Sequence, residues 1–271
     1  SLGIALVDMY SKCGLLSESY DVFNELLVQS VVSWTALIAG YAEHGDGEEG
    51  LLCLNKMQME GIPPDVVTYV CGLKACSKIG FIEKGFELHS SIIERGFEED
   101  LSIANILVDM YAKCGSLIEA EAMIDKLSLK TNVSWTALIT GYAEYGDDHR
   151  ALNCIEKMQK DDISLDTVAF ISVLRACSHI QALERGQKLH SDIVKAGFEK
   201  DIYVGGALVD MYSCCGSFRE AEEVLNEQQD KNVVLWNALM MGYAEHGLDE
   251  KALHCLVCMQ ENGMTPDVVS L

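Results

Sequence analysis

The segment "SWTALIAGYAEHG" (Ser33–Gly45) returns as "SWTALITGYAEYG" (Ser134–Gly146) and again as "LWNALMMGYAEHG" (Leu235–Gly247), each copy 101 positions after the last. A chain that repeats itself at a fixed interval must present the same surfaces again and again, so its blocks stack on one another. An interval of 101 residues is too long for one solenoid unit, so each block must hold several. Positions that change between copies are where information can be stored.

Within a block the period is helical. "VSWTALIAGYAEHG" carries apolar residues at i, i+3, i+4 and i+7 and ends on Gly45, and "EEGLLCLNKMQMEG" follows as a second amphipathic segment ending on Gly61. All three prolines, Pro63, Pro64 and Pro266, fall where a unit ends, so almost nothing breaks the helices between. Each unit therefore reads as a helix–turn–helix. The block divides into Val31–Asp65, Val66–Asp100 and Leu101–Thr131, of 35, 35 and 31 residues. The cycle continues as Asn132–Asp166, Thr167–Asp201, Ile202–Asn232 and Val233–Asp267; a nearly complete unit, 1–30, precedes it and 268–271 open another. The expected fold is all-α: eight helical pairs stacked as a solenoid.

Eleven cysteines suggest a metal site or a disulfide framework until they are placed in register. Cys13, Cys114 and Cys215 share one repeat position; Cys53, Cys154 and Cys255 a second; Cys76 and Cys177 a third. Repetition of that kind marks small apolar core residues. "CLVC" (Cys255–Cys258) has ligand spacing, but no second ligand pair exists for it, so no metal and no cofactor is expected. No apolar run approaches the ~20 residues that span a bilayer. The net charge of −22 repels polyanions at long range, and any nucleic-acid reading must accommodate it.

The 35–35–31 order, with "DMYAKCG", "LKACSKIG" and "VVSWTALIAGYAEHG", closely resembles the pentatricopeptide repeat family, and within it the PLS subclass of land-plant organelles, in which P, L and S motifs alternate. The resemblance covers essentially the whole chain. A tetratricopeptide array fails on length and lacks that family's W-x2-L-G-x2-Y signature. The resemblance implies a right-handed α-solenoid in which each motif faces one RNA base through its fifth and its last residue. The base-reading pairs are then Thr35 with Asp65, Asn105 with Thr131, Thr136 with Asp166, and Asn237 with Asp267. Val70 with Asp100, Ile171 with Asp201 and Gly206 with Asn232 are weaker, because their fifth residues offer no hydrogen bond. Val32, Val133 and Val234, at the second position, are expected to sandwich the bases.

The chemistry is sensible on elementary grounds. An ionised aspartate only accepts hydrogen bonds, so it suits a base with a ring N–H, guanine or uracil. Short threonine leaves room for a purine, and longer asparagine reaches a pyrimidine. Read N-terminus to 5′ end, the complete motifs predict single-stranded RNA of sequence 5′-G-n-Y-G-n-n-U-3′. No DNA duplex and no membrane is an expected partner; a small editing-factor protein docking on the L motifs is, by resemblance.

Trp34, Trp135 and Trp236, one residue before the reading position, are expected in the core, as are Tyr41, Tyr142 and Tyr243. His89 and His190 are expected to be packing residues. A deaminase would need H-x-E with P-C-x-x-C, and neither occurs, so the segment is not expected to be an enzyme. The implied function is RNA recognition, as the specificity segment of a C-to-U editing factor in a mitochondrion or chloroplast, the transit peptide lying outside the segment. The competing reading is a protein-interaction scaffold in an organellar ribonucleoprotein complex. What separates them is whether the face bearing the reading residues is neutral or basic while the exterior is acidic.

Overall fold

The last residue of each unit starts the next unit's first helix, and that sets the architecture. The computed structural model describes residues 2–127, 129–228 and 232–268; of the short segment 268–271, all but Val268 lies outside the described residues. The helices come in pairs: α1 (Leu2–Lys12) with α2 (Leu16–Asn24), α3 (Val31–His44) with α4 (Gly47–Met59), α5 (Val66–Ile79) with α6 (Ile82–Glu94), and α7 (Leu101–Lys113) with α8 (Leu117–Lys126). The series continues with α9 (Asn132–Glu144) and α10 (Asp148–Lys160), α11 (Thr167–His179) and α12 (Leu183–Ala196), α13 (Ile202–Cys214) and α14 (Phe218–Glu227), and α15 (Val233–Glu245) and α16 (Asp249–Glu261). Among the described residues there is no strand.

Ser30 caps α3, Asp65 α5, Asp100 α7, Asp166 α11, Asp201 α13 and Asn232 α15, each through a side-chain oxygen that accepts a backbone N–H of the first turn. Thr131 does the same for α9, accepting from the Ser134 N–H at 3.4 Å. Ser, Thr, Asp and Asn are the residues that satisfy those orphan donors best. At the other end, Gly45 closes α3 at φ 102°, a left-handed conformation that costs glycine nothing.

Contacts divide the chain into two units, Ser1–Gly141 and Tyr142–Leu271, each described by itself. In the first, α1, α3, α5 and α7 pack side by side; in the second, α11, α13 and α15 do. Within each unit a second helix packs on its own first helix and on the first helix of the following pair, as α4 does on α3 and α5, and α12 on α11 and α13. First helices thus form a layer flanked on one side by second helices. The layer is tight: a Cβ built on Gly40 would lie 2.6 Å from Ser11 Cβ, and one on Gly242 would collide with Ser213. Glycine in "GYAE" is the residue that lets neighbouring first helices approach.

Trp34, Trp135 and Trp236 are buried, at 2%, 1% and 5% exposure, with Phe23 edge-on to Trp34 at 4.5 Å. Tyr41, Tyr142 and Tyr243 are buried too. Cys76 and Cys177 are fully buried, and burial pushes both thiols up to about 12, which keeps them protonated and inert. The 31-residue units are short in their second helix: α8 and α14 have 10 residues where α4 and α10 have 13.

Candidate nucleic-acid interface

Fifth residues lie one turn into each first helix, and in three motifs the residue that ends the motif comes back to join them. Asn237 Nδ2 donates to Asp267 Oδ1 at 3.0 Å and to Oδ2 at 3.2 Å. Thr131 Oγ1 donates to Asn105 Oδ1 at 3.3 Å. Thr35 and Asp65 are joined through a third side chain. Thr68 Oγ1 donates to Asp65 Oδ1 at 2.8 Å and shares a 2.7 Å hydrogen bond with Thr35 Oγ1. Asp65 Oδ1 also accepts the Thr68 N–H at 2.8 Å, and Oδ2 accepts no hydrogen bond from the described residues.

The pairs with aliphatic fifth residues behave differently. Val70 and Ile171 are half-buried, and Asp100 and Asp201 turn one oxygen to two backbone N–H groups of the next helix, at 2.8 and 3.1 Å and at 2.9 and 3.1 Å. Thr136 is half-buried on α9, in the first unit, and Asp166 caps α11 in the second, accepting from Ala169 N–H at 2.9 Å. Gly206 and Asn232 line one cavity of about 360 Å³ together with Ile171, Arg175, Tyr203 and Val234. A Cβ on Gly206 would meet nothing within 4 Å. Asn232 spends its Oδ1 on the Leu235 N–H at 3.0 Å, so its amide N–H2 is the group left to offer.

Apart from Ser102, the second position of every complete motif carries an exposed apolar group. Val32, Val133 and Val234 are 63%, 55% and 64% exposed. Sequence reasoning missed three more at the same register: Val67 at 57%, Val168 at 54% and Tyr203 at 74%. The signal was available, since each immediately follows the first residue of a helix. Apolar side chains held in water beside hydrogen-bonding groups suit the faces and edges of splayed bases.

A family model described as PPR repeat family matches residues 29–78, and one described as PPR repeat matches 5–31, 67–97, 102–130, 133–163, 206–233 and 234–264, together well over half of the chain. The chain belongs to the pentatricopeptide repeat family. Curated relatives in Arabidopsis thaliana include pentatricopeptide repeat-containing protein At2g33680, 37% identical over all of this chain and 37% of its own length. The chloroplastic At4g18520 and the mitochondrial At2g03380 are each 34% identical, over 98% of this chain and 43% and 38% of theirs. The chain thus spans about two fifths of the length of these relatives. Among solved structures it is similar to the maize pentatricopeptide repeat protein PPR10, with TM-score 0.80, 17% identity, and coverage of 99% of this chain and 40% of that one. PPR10 in complex with an 18-nt psaJ RNA element gives TM-score 0.79 at 22% identity, over 94% of this chain and 39% of that one.

In this pentatricopeptide repeat chain the acidity is unevenly placed. The eight first helices, which carry the fifth residues, hold six carboxylates and five Lys or Arg residues; the eight second helices hold 21 and 11. The rest of the −22 sits in the connections. The first helices are themselves close to neutral, and the motif-ending Asp65, Asp100, Asp166, Asp201 and Asp267 in the connections add the negative charge at their starts.

His89 and His190 sit outside that face. His89 Nδ1 is 2.7 Å from Tyr111 OH and His190 Nδ1 2.9 Å from Tyr212 OH, the same second-helix to first-helix contact made twice. Burial lowers the pKa of both. Cys258 faces His254, its Sγ 3.6 Å from Nδ1, and no group of three potential metal ligands occurs among the described residues. No described helix is long and apolar enough to cross a membrane.

Proposed function

We propose that this segment binds single-stranded RNA sequence-specifically, one motif to one base, with Thr35/Asp65, Asn105/Thr131, Thr136/Asp166 and Asn237/Asp267 reading and Val32, Val133 and Val234 holding the bases. The observation that carries it is the coupling of fifth and last residues. Asn237 holds Asp267, Asn105 receives Thr131, and Thr68 joins Thr35 to Asp65. Val32, Val133 and Val234 stand exposed at the second position of three of these motifs, and the Asn105/Thr131 motif carries Ser102 there. The near balance of charge along the first helices, beside the acidic second helices, favours RNA recognition over the scaffold reading, which would use the second helices instead.

The target is 5′-G-n-Y-G-n-n-U-3′. Alternation of 35-, 35- and 31-residue units supports the PLS subclass, and with it the role of specificity segment in an organellar C-to-U editing factor. Relatives named chloroplastic and mitochondrial support an organellar setting. A small editing-factor protein is the proposed protein partner, on the L motifs 66–100 and 167–201. Affinity for the matching seven-mer against scrambled RNA tests the core of this reading. Equal binding to both sinks it.

A further inference from the structure

Two cations on the first helices have no ion-pair partner among the described residues. Of the five there, Lys12 pairs with Asp8 at 2.8 Å, Lys113 with Asp109 at 3.0 Å, and Lys78 donates to the Glu43 carbonyl at 2.6 Å. Lys74 and Arg175 make no ion pair and no side-chain hydrogen bond among the described residues, although the chain carries 42 carboxylates against 20 Lys and Arg. Both are exposed, and they are the same residue of the repeat, 101 positions apart: the ninth of an L motif. Arg175 lines the 360 Å³ cavity with Tyr203, Gly206, Asn232 and Val234; Asp210, on the same cavity, takes its hydrogen bond from Ser178 instead, at 3.0 Å.

The ninth residue follows the fifth by four, one turn along the same helix face. In the P motifs it is Ala39, Thr140 or Met241, and in the S motifs Asp109 or Asp210; only the two L motifs place a cation there. Those are also the motifs whose fifth residues, Val70 and Ile171, have no hydrogen bond to give. Where the base-reading group is lost, an unpaired positive charge is held beside its place.

We infer that Lys74 and Arg175 bind the phosphate backbone of the RNA, so that the L motifs contribute affinity and register while the P and S motifs contribute identity. An ammonium and a guanidinium are the two side chains suited to phosphate oxygens, the second in a bidentate fork. Unpaired on their helices, they give the strand local attraction against the long-range repulsion of −22. The inference rests on the RNA-binding reading.

The test is the salt dependence of binding by the segment carrying Lys74→Gln with Arg175→Gln, beside a control with Lys56→Gln and Lys157→Gln, which removes the same charge from second helices. Each phosphate contact on single-stranded nucleic acid contributes about 0.7 to the slope of log K against log salt, so the first variant should lose about 1.4 of slope. Its affinity should fall equally for seven-mers with any base opposite the L motifs, and Lys74→Arg with Arg175→Lys should restore both. The control should keep the wild-type slope. An unchanged slope in the first variant, a loss matched by the control, or a loss that depends on the base opposite the L motifs overturns the inference. If the unmodified segment shows no RNA binding at any salt, the RNA reading itself fails.

Discussion

Asn237 and Asp267, thirty residues apart, meet side chain to side chain, one amide nitrogen reaching both carboxylate oxygens. The amide thereby fixes where the carboxylate points. Asn237→Thr shortens the side chain and reproduces the pair found at Thr35 and Asp65. The preferred base opposite this motif should move from U to G, with a discrimination of roughly 1–3 kcal/mol, the usual cost of one mismatched contact. Binding of four RNAs differing only at that base measures it; an unchanged order removes the fifth residue from the code.

Asp65 has two tasks on two oxygens, since Oδ1 takes both bonds from Thr68 and Oδ2 remains open. Asp65→Ala loses both, so it should flatten base preference and also cost about 0.5–2 kcal/mol of stability as a lost helix cap. Asp65→Asn should keep the cap, because asparagine caps as well as aspartate, while exchanging an acceptor-only group for an amide. Its expected signature is wild-type urea stability with lost preference for G. A fall in stability equal to that of the alanine variant would show that the charge, and not the cap, is what matters.

Gly40 and Gly206 are both helical glycines in opposite circumstances. Gly40 has Ser11 Cα at 3.1 Å from its missing Cβ, backbone that cannot swing aside, whereas Gly206 faces open space. Gly40→Val should therefore destabilise by ~1–3 kcal/mol or more through overpacking. Gly206→Ala should stabilise by roughly 0.5–1 kcal/mol through reduced chain entropy. Chemical denaturation of the two variants checks the contrast, and equal effects would refute this description of the helix layer.

The two histidine–tyrosine contacts make stability depend on pH. Burial lowers the pKa of His89 and His190 below the ordinary 6.5, so the folded protein holds them neutral where the unfolded chain protonates them. The unfolded state then binds more protons as pH falls below 6.5, and stability must drop with it. The urea midpoint should hold steady above about pH 7 and decline toward about pH 5. A His89→Gln and His190→Gln double variant should flatten that decline, and one as steep as before would assign it to other groups.

The helical pairs were legible in the sequence because their signals are local: apolar spacing, glycine stops and a strict repeat. The burial of Trp34, Trp135 and Trp236 followed from the same spacing. What could not be read was contact between distant side chains. Thr68 belongs to the next motif, and nothing in "VVTYV" announces that its hydroxyl bridges Thr35 and Asp65. Lys74 and Lys113, by contrast, were separable in the sequence, since Lys113 follows Asp109 by four residues and pairs with it, whereas Lys74 has no carboxylate within eight residues on either side. Exposure at Val67, Val168 and Tyr203 was hidden by composition, because an apolar residue at a helix start reads as core.

The residue that ends each motif is also the hinge-pin on which the next is hung. Ser30, Asp65, Asp100, Thr131, Asp166, Asp201 and Asn232 all do the same mechanical work, and helix starts accept any of the four types with little change in stability. On the proposed code, an alphabet of interchangeable pins would let the spelling of a target drift while the scaffold stands. A lineage can then be retargeted one motif at a time, each intermediate still a folded protein.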